Sequence, residues 1–193
     1  LPERLKGLTI THLSDIHAGL LFRPNHLRSV VDAANRLNSD LVVITGDIID
    51  NSNNVLPDTL EILRGLQPPY GLYLCLGNHD LLDNGDALIR MVQHAGLELL
   101  VNEHRWVGIG GEHICIGGLQ WSYHDRSPDP GLGDHREYAA RTFDPGDVHH
   151  FKIALAHHPH AFDALAEKGV NLTLSGHTHG GQFMLTPPGW PEM

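Results

Sequence analysis

Leu41-Val42-Val43-Ile44-Thr45-Gly46-Asp47-Ile48-Ile49-Asp50 is the stretch from which the rest of the chain can be read. A short, β-branched run that halts at a Gly-Asp pair has the pattern of a strand buried on both faces and ended by a polar loop. Such a strand needs neighbours, and the sequence supplies them. Leu8 to Leu13 upstream and Gly71 to Leu76 downstream repeat the run, and each stops at a cluster of Gly, Ser or Asp. Between the first two, Leu27, Val30, Val31, Ala34 and Leu37 recur at three- and four-residue spacing, predicting an amphipathic helix with Asn25 as its N-cap. Leu60, Leu63 and Leu66 form a second helical stripe; Leu88, Met91, Val92 and Ala95 form a third. Strands alternating with helices imply parallel pairing through right-handed crossovers, so the strand C-terminal ends open on one edge, where ligands bind.

The second half changes character. Leu97 to Leu100, Arg105 to Ile109 and Glu112 to Ile116 are closely spaced short runs with little helix between them, which predicts antiparallel hairpins and a second sheet. Phe151 to Ala156, a helix near Ala161 to Lys168, and Leu172 to Ser175 then restore the alternating order. Two sheets packed together with outer helices account for both halves. The segment 117–150, rich in Gly, Pro, Asp and His, has no sustained period and reads as a long loop, either functional and a candidate for substrate specificity or disordered. No repeat or linker interrupts the chain, so residues 1–193 read as one domain.

At 193 residues, 41% hydrophobic and 19% charged, the composition is that of a globular protein with a core of its own. No run approaches the roughly 18 apolar residues of a membrane-spanning helix. A net charge of −10 disfavours a broad nucleic-acid-binding face. Bound cations can still reverse that charge locally and admit a phosphate ester. Cys75 and Cys115, each inside an apolar run, read as buried thiols. The chain starts at Leu1 with no initiator Met, basic flank or apolar signal core, which leaves room for a trimmed upstream targeting segment, so localisation stays open with a soluble, cytoplasmic protein slightly favoured. Oligomeric state stays open.

The chemistry is concentrated at strand ends. The first strand ends in Ser14-Asp15-Ile16-His17, where residues two apart point the same way, so Asp15 and His17 can share one ion. The second ends in Asp47 and Asp50, the third in Gly77-Asn78-His79-Asp80, a later one in His157-His158-Pro159, and the next in Gly176-His177-Thr178-His179. Five strand-to-loop junctions carrying ligand-type residues point to one site. Asp, Asn and His without Cys favour Mn²⁺, Fe, Zn²⁺ or Co²⁺. Seven ligands exceed one tetrahedral zinc and suit two ions about 3.5–4 Å apart, the arrangement that clamps attacking and leaving oxygens in phosphoryl displacement. A dinuclear hydrolase is the inference.

In these five ordered blocks the chain resembles the calcineurin-like metallophosphoesterases, over residues 8 to 182. The resemblance implies a four-layer α/β/β/α sandwich of two mixed β-sheets flanked by helices. It further implies that Asp15, His17 and His179 hold one divalent ion and Asn78, His157 and His177 the other, with Asp47 bridging. His79 resembles the family's catalytic histidine beside the substrate phosphate. Asp50 would orient it, since a carboxylate on one imidazole nitrogen raises the basicity of the other. The family pattern puts the ligand at His157, not His158, whose backbone Pro159 restricts. The expected reaction is attack of a metal-bridging hydroxide on phosphorus in a small-molecule phosphate ester, with Mn the first choice of metal.

Diesters are preferred over monoesters because no basic cluster outside the blocks could hold a monoester dianion. Gly180, Gly181 and Gln182 resemble a variant of phosphodiesterase-like branches. The resemblance also allows nucleotide-linked lipid pyrophosphates or cyclic nucleotides as substrates, and includes non-catalytic binding scaffolds, which typically lack metal ligands that are all present here. Trp121 and Tyr123 read either as an apolar wall for the leaving group or as packing against the second sheet. His124, His135, His149 and His150, in or beside the long loop, read as solvated loop residues, with substrate contact as the alternative. Many relatives continue with further strands where this chain stops at Met193, and Pro187, Pro188, Gly189 and Pro191 suggest that 186–193 is a structureless tail.

Overall fold

A computed structural model describes residues 2–121, 135–143 and 150–179. Strands β1 (Ile10–Leu13), β2 (Leu41–Thr45), β3 (Leu72–Cys75) and β4 (Glu98–Leu99) form a sheet in that order, every pairing parallel. The crossovers are α1 (Pro24–Arg36), α2 (Leu56–Leu63) and α3 (Gly85–His94). The second sheet runs β5 (Glu103–Ile109), β6 (Glu112–Gly118), β7 (Phe151–Leu155) and β8 (Leu172–Leu174). Its β5–β6 hairpin is antiparallel and its other pairings parallel. Helices α4 (His135–Thr142) and α5 (Phe162–Glu167) belong to this half.

The layering follows from the period-two alternation of the strands. Val42, Ile44 and Leu74 turn to one face and pack with Leu27, Val31, Leu60, Leu63, Leu88 and Val92 of the helices. Leu41, Val43, Tyr73 and Cys75 turn to the other and meet Val107, Ile114, Ile116, Ile153 and Leu155 of the second sheet. Cys115 and Ala154 face outward from that sheet against Ala139, Phe143, Ala164 and Leu165. The result is the α/β/β/α sandwich. Neither cysteine enters a disulfide: Cys75 is in the inter-sheet core and Cys115 in the outer one. No helix among the described residues is long and apolar enough to cross a membrane.

Three expectations need correction. The run Leu97 to Leu100 supplies β4, which joins the first sheet beside β3, because α3 returns the chain parallel and closes one more βαβ unit. The chain changes sheets only afterwards, where the Asn102 N–H donates to the Gly118 carbonyl. Asn25 is not the N-cap of α1: Arg23 is, with Pro24 in the first turn, where a missing N–H costs nothing. Asn25 instead accepts a bond from the Arg28 guanidinium. The segment 117–150 is not all loop, since β6 runs on to Gly118 and α4 lies within it; α4 buries only Ala139 and Thr142, too little to print an apolar stripe.

Candidate metal centre

Beyond their last residues, β1 and β2 continue side by side as polar loops. The Asp15 N–H donates to the Gly46 carbonyl, His17 to Asp47 and Ala18 to Ile48, while Asp50 donates back to Ala18. These loops turn through left-handed backbone. Among the described residues, seven that are not glycine have positive φ, and five of them are Asp15, Asp47, His17, His177 and His179. Such conformations cost about 1–3 kcal/mol each and persist where something else pays for them.

The strand ends of both sheets converge. Nitrogen or carboxylate atoms of Asp15, His17 and His179 lie within 4.8 Å of one another, as do those of Asp47, His157 and His177, and of His17, Asp47 and His79. Asp47 Oδ2 is 3.1 Å from His157 Nε2 and 3.5 Å from His17 Nε2. His179 Nε2 stands 3.4 Å from Asp15 Oδ1 and 3.2 Å from His17 Nε2. His177 Nδ1 is 3.3 Å from His157 Nε2, and the His177 N–H donates to both Asp15 carboxylate oxygens. Within the pair 157–158 it is His157 that joins the cluster; His158 instead accepts from the His160 N–H, with its ring 4.8 Å from that of His177.

Two features test whether this cluster fits a cation. His157 Nδ1 lies 2.6 Å from the Thr45 carbonyl, which can only accept, so Nδ1 carries the proton and the Nε2 lone pair faces Asp47 Oδ2. Two acceptors at that distance require a proton or a metal ion between them. A ring N–H fixed by a backbone carbonyl is also the usual outer support of a metal-bound histidine. Second, Asn78 Oδ1 is buried with no hydrogen-bond partner, an acceptor lacking a donor. The donor set of carboxylate, imidazole and amide oxygen fits a divalent ion of the harder or borderline kind.

The electrostatics agree. Burial alone would raise the Asp47 carboxyl, but the hydrogen bond and charge of His157 carry it below its ordinary value. His157 is correspondingly held above its own, against its burial, by Asp47. Burial pushes His17 and His177 down, so both offer bare nitrogens near neutrality. His79 Nδ1 contacts the Asp50 backbone carbonyl, which fixes the proton on Nδ1 and leaves Nε2 as the acceptor. The Asp50 carboxylate stands 3.6 Å from Nδ1, so the main chain of Asp50 makes the closer contact.

With this geometry in place, the sequence profile described as calcineurin-like phosphoesterase matches residues 8–181. The chain belongs to this family. The family is one of metal-dependent phosphoester hydrolases, which implies divalent ions, and the candidate ligand groups for them are present here. A transmembrane protein with metallophosphoesterase domain from Danio rerio is 36% identical over 96% of this chain and 44% of its own. The uncharacterized metallophosphoesterase YkuE of Bacillus subtilis is 34% identical over 97% of this chain and 66% of its own. A solved structure, of a protein of unknown function from Aquifex aeolicus, aligns over 86% of this chain and 88% of that one, with a TM-score of 0.40 and 13% identity. The chain thus spans between about a third and two thirds of the length of the curated relatives it matches.

One residue, Asp80, escaped the sequence reading as a site component, and Trp121, left open between a leaving-group wall and packing against the second sheet, lies beside the candidate histidines. Trp121 is not turned only to the second sheet: its ring lies 4.9 Å from that of His177, 5.5 Å from His157 and 5.3 Å from His158. Asp80, quoted within a ligand block but given no task, is fully buried beneath it. Of the histidines read as solvated loop residues, His135 instead opens α4 with both ring nitrogens buried and its ring 6.4 Å from that of His158, and His150 packs on Trp106. Tyr123, His124, His149, Gly180, Gly181, Gln182 and the tail 186–193 lie outside the described residues.

Proposed function

We propose that the chain hydrolyses phosphodiesters with two divalent ions, Mn²⁺ first among Mn²⁺, Fe, Zn²⁺ and Co²⁺. In this reading Asp15, His17 and His179 hold one ion, Asn78, His157 and His177 hold the other, and Asp47 serves both. The observation that carries it is His157, whose Nδ1–H is spent on the Thr45 carbonyl while Nε2 faces Asp47. When bound, the ions lower the pKa of coordinated water toward neutrality and offset the charge of the phosphoryl oxygens.

The chain's own groups supply the rest. His79, its Nδ1 proton held by the Asp50 carbonyl, presents Nε2 as the position at which a proton is carried to the departing oxygen. Asp50 is the positioning residue behind it. His177 and His17, held neutral by burial, stay unprotonated at working pH. The preference for diesters rests on the absence from the sequence of a basic cluster beside the ligand blocks, since a monoester dianion brings a second charge to be met.

The test is turnover of an aryl phosphodiester and an aryl phosphomonoester by metal-stripped protein, with Mn²⁺ restored and Asp47→Ala as control. Diester turnover that returns with metal and is lost in the variant supports the reading. Turnover of monoesters alone removes the diester preference, and none with any metal in a folded protein removes the enzyme.

A further inference from the structure

The Asp80 carboxylate is fully buried and accepts four backbone N–H bonds. Oδ1 takes Ile48 at 2.8 Å and Ile49 at 3.3 Å; Oδ2 takes Asp47 and Gly77, both at 2.9 Å. Three of these donors are successive amides of the loop after β2, whose left-handed Asp47 makes them converge as an anion-binding nest. The fourth belongs to the loop after β3, immediately before Asn78. One oxygen atom therefore ties the amide of Asp47 to the amide preceding Asn78. The tie is reciprocal, because Asp47 Oδ1 accepts the His79 N–H at 2.8 Å.

We propose that Asp80 is a positioning residue which fixes Asp47 relative to Asn78 and His79 by filling this nest, an inference that rests on reading Asp47 and Asn78 as ligands. The chemistry explains the residue type. Each carboxylate oxygen already receives two N–H groups, so an isosteric amide in either orientation turns its own NH₂ toward two backbone donors. Those donors then have no acceptor in a site without water access, and the two loops separate to relieve them. Outer groups of this kind typically change metal affinity or activity by about 10–100-fold.

The test uses the full chain, metal-stripped and titrated with Co²⁺, reading bound metal and the visible absorption bands. The wild type takes up two ions. Asp80→Asn binds Co²⁺ about 10–100-fold more weakly and, even at saturation, gives shifted bands. Leu88→Ala, fully buried in the helix layer, loses stability but keeps the wild-type affinity and spectrum. If Asp80→Asn does not fold, Asp80→Glu, which keeps the carboxylate and moves it by one methylene, is read the same way. An Asp80 variant with unchanged affinity and bands overturns the proposal, as does failure of both variants to fold, which would make Asp80 a residue of the whole fold. A wild type that takes up no metal fails at the ligand assignment itself, whereas normal wild-type uptake with an unaltered variant refutes the role of Asp80 alone.

Discussion

Gly77 is pressed so closely against Asp47 that an added methyl carbon would lie 2.2 Å from Asp47 Oδ1 and 2.4 Å from its amide nitrogen. Gly77 is not in the left-handed region, so alanine meets no backbone penalty there and the perturbation is purely steric. To reach ordinary contact, which begins at 3.4 Å, the Asp47 loop has to retreat by about 1 Å. A displacement of that size at a reacting centre costs about 10²-fold in rate, or ~2.7 kcal/mol of barrier. Overpacking adds a loss of about 1–3 kcal/mol in stability, which leaves the protein folded. The assay is kcat/KM on an aryl phosphodiester at saturating Mn²⁺, together with the urea unfolding midpoint. Gly108→Ala is the control, since its added carbon meets only His113 Nε2, at 3.9 Å. Gly77→Ala with wild-type turnover would show that the spacing of the two loops does not matter to the reaction, and the placement of Asp47 at its centre would fall.

Two further outcomes follow from the same site. Because His157 is held above its ordinary value and Nε2 is the nitrogen facing Asp47, metal uptake must expel a proton: more are released near about pH 6 than near about pH 8. His17 and His177, held below their ordinary values, contribute little to that release. Calorimetric titration in buffers of different ionisation enthalpy measures it, and an uptake enthalpy independent of buffer at both values contradicts the assignment of His157. Each triad of proposed ligands draws on both sheets, so chelation should lower the melting temperature; at a free metal concentration 100 times Kd, each site adds about 2.7 kcal/mol, or roughly 5–10 °C for a chain of this size. Trp121, 4.9 Å from the His177 ring, should be quenched by Co²⁺ in parallel, and an unchanged emission with unchanged melting excludes binding at this cluster.

What the sequence made legible was whatever repeats along the chain. The buried strands were continuous apolar runs, α1 to α3 were stripes, and the candidate ligand blocks stood at strand ends because the sheet delivers them to one edge. The misplaced pieces are those decided by a partner far away in sequence. Glu98–Leu99 is too short to reveal which sheet it joins, and only its register with Tyr73 and Leu74 does so. Helix α4 packs through the small Ala139 and a buried Thr142, leaving no apolar period. Asp80 was invisible as a site residue because its task is to receive backbone amides, which every sequence has. Trp121 was left between two readings because its placement depends on the pairing of β6 with β7, which run parallel and bring residue 121 level with residues 157 and 158.

The polar centre is stable in an apolar sandwich because its costs are met from different directions. Left-handed backbone at Asp15, His17, Asp47, His177 and His179 is unfavourable, yet each lies in a loop whose entry is fixed by a strand, and the Asp47 loop is held further by Asp80. The two sheets are locked by the core between them, and the last carbonyl of β2, at Thr45, reaches across to His157. That bond leaves a lone pair aimed at the Asp47 carboxylate, so a proton must lie between them whenever no cation does, and under the proposed ligand assignment that is the place an ion would take. Proton and cation would then compete for the same nitrogen, on a residue that joins both sheets at the open edge. With His157 as the proposed ligand, protonation, metal uptake and inter-sheet stability would form one coupled equilibrium, and a change in any of them would appear in the other two.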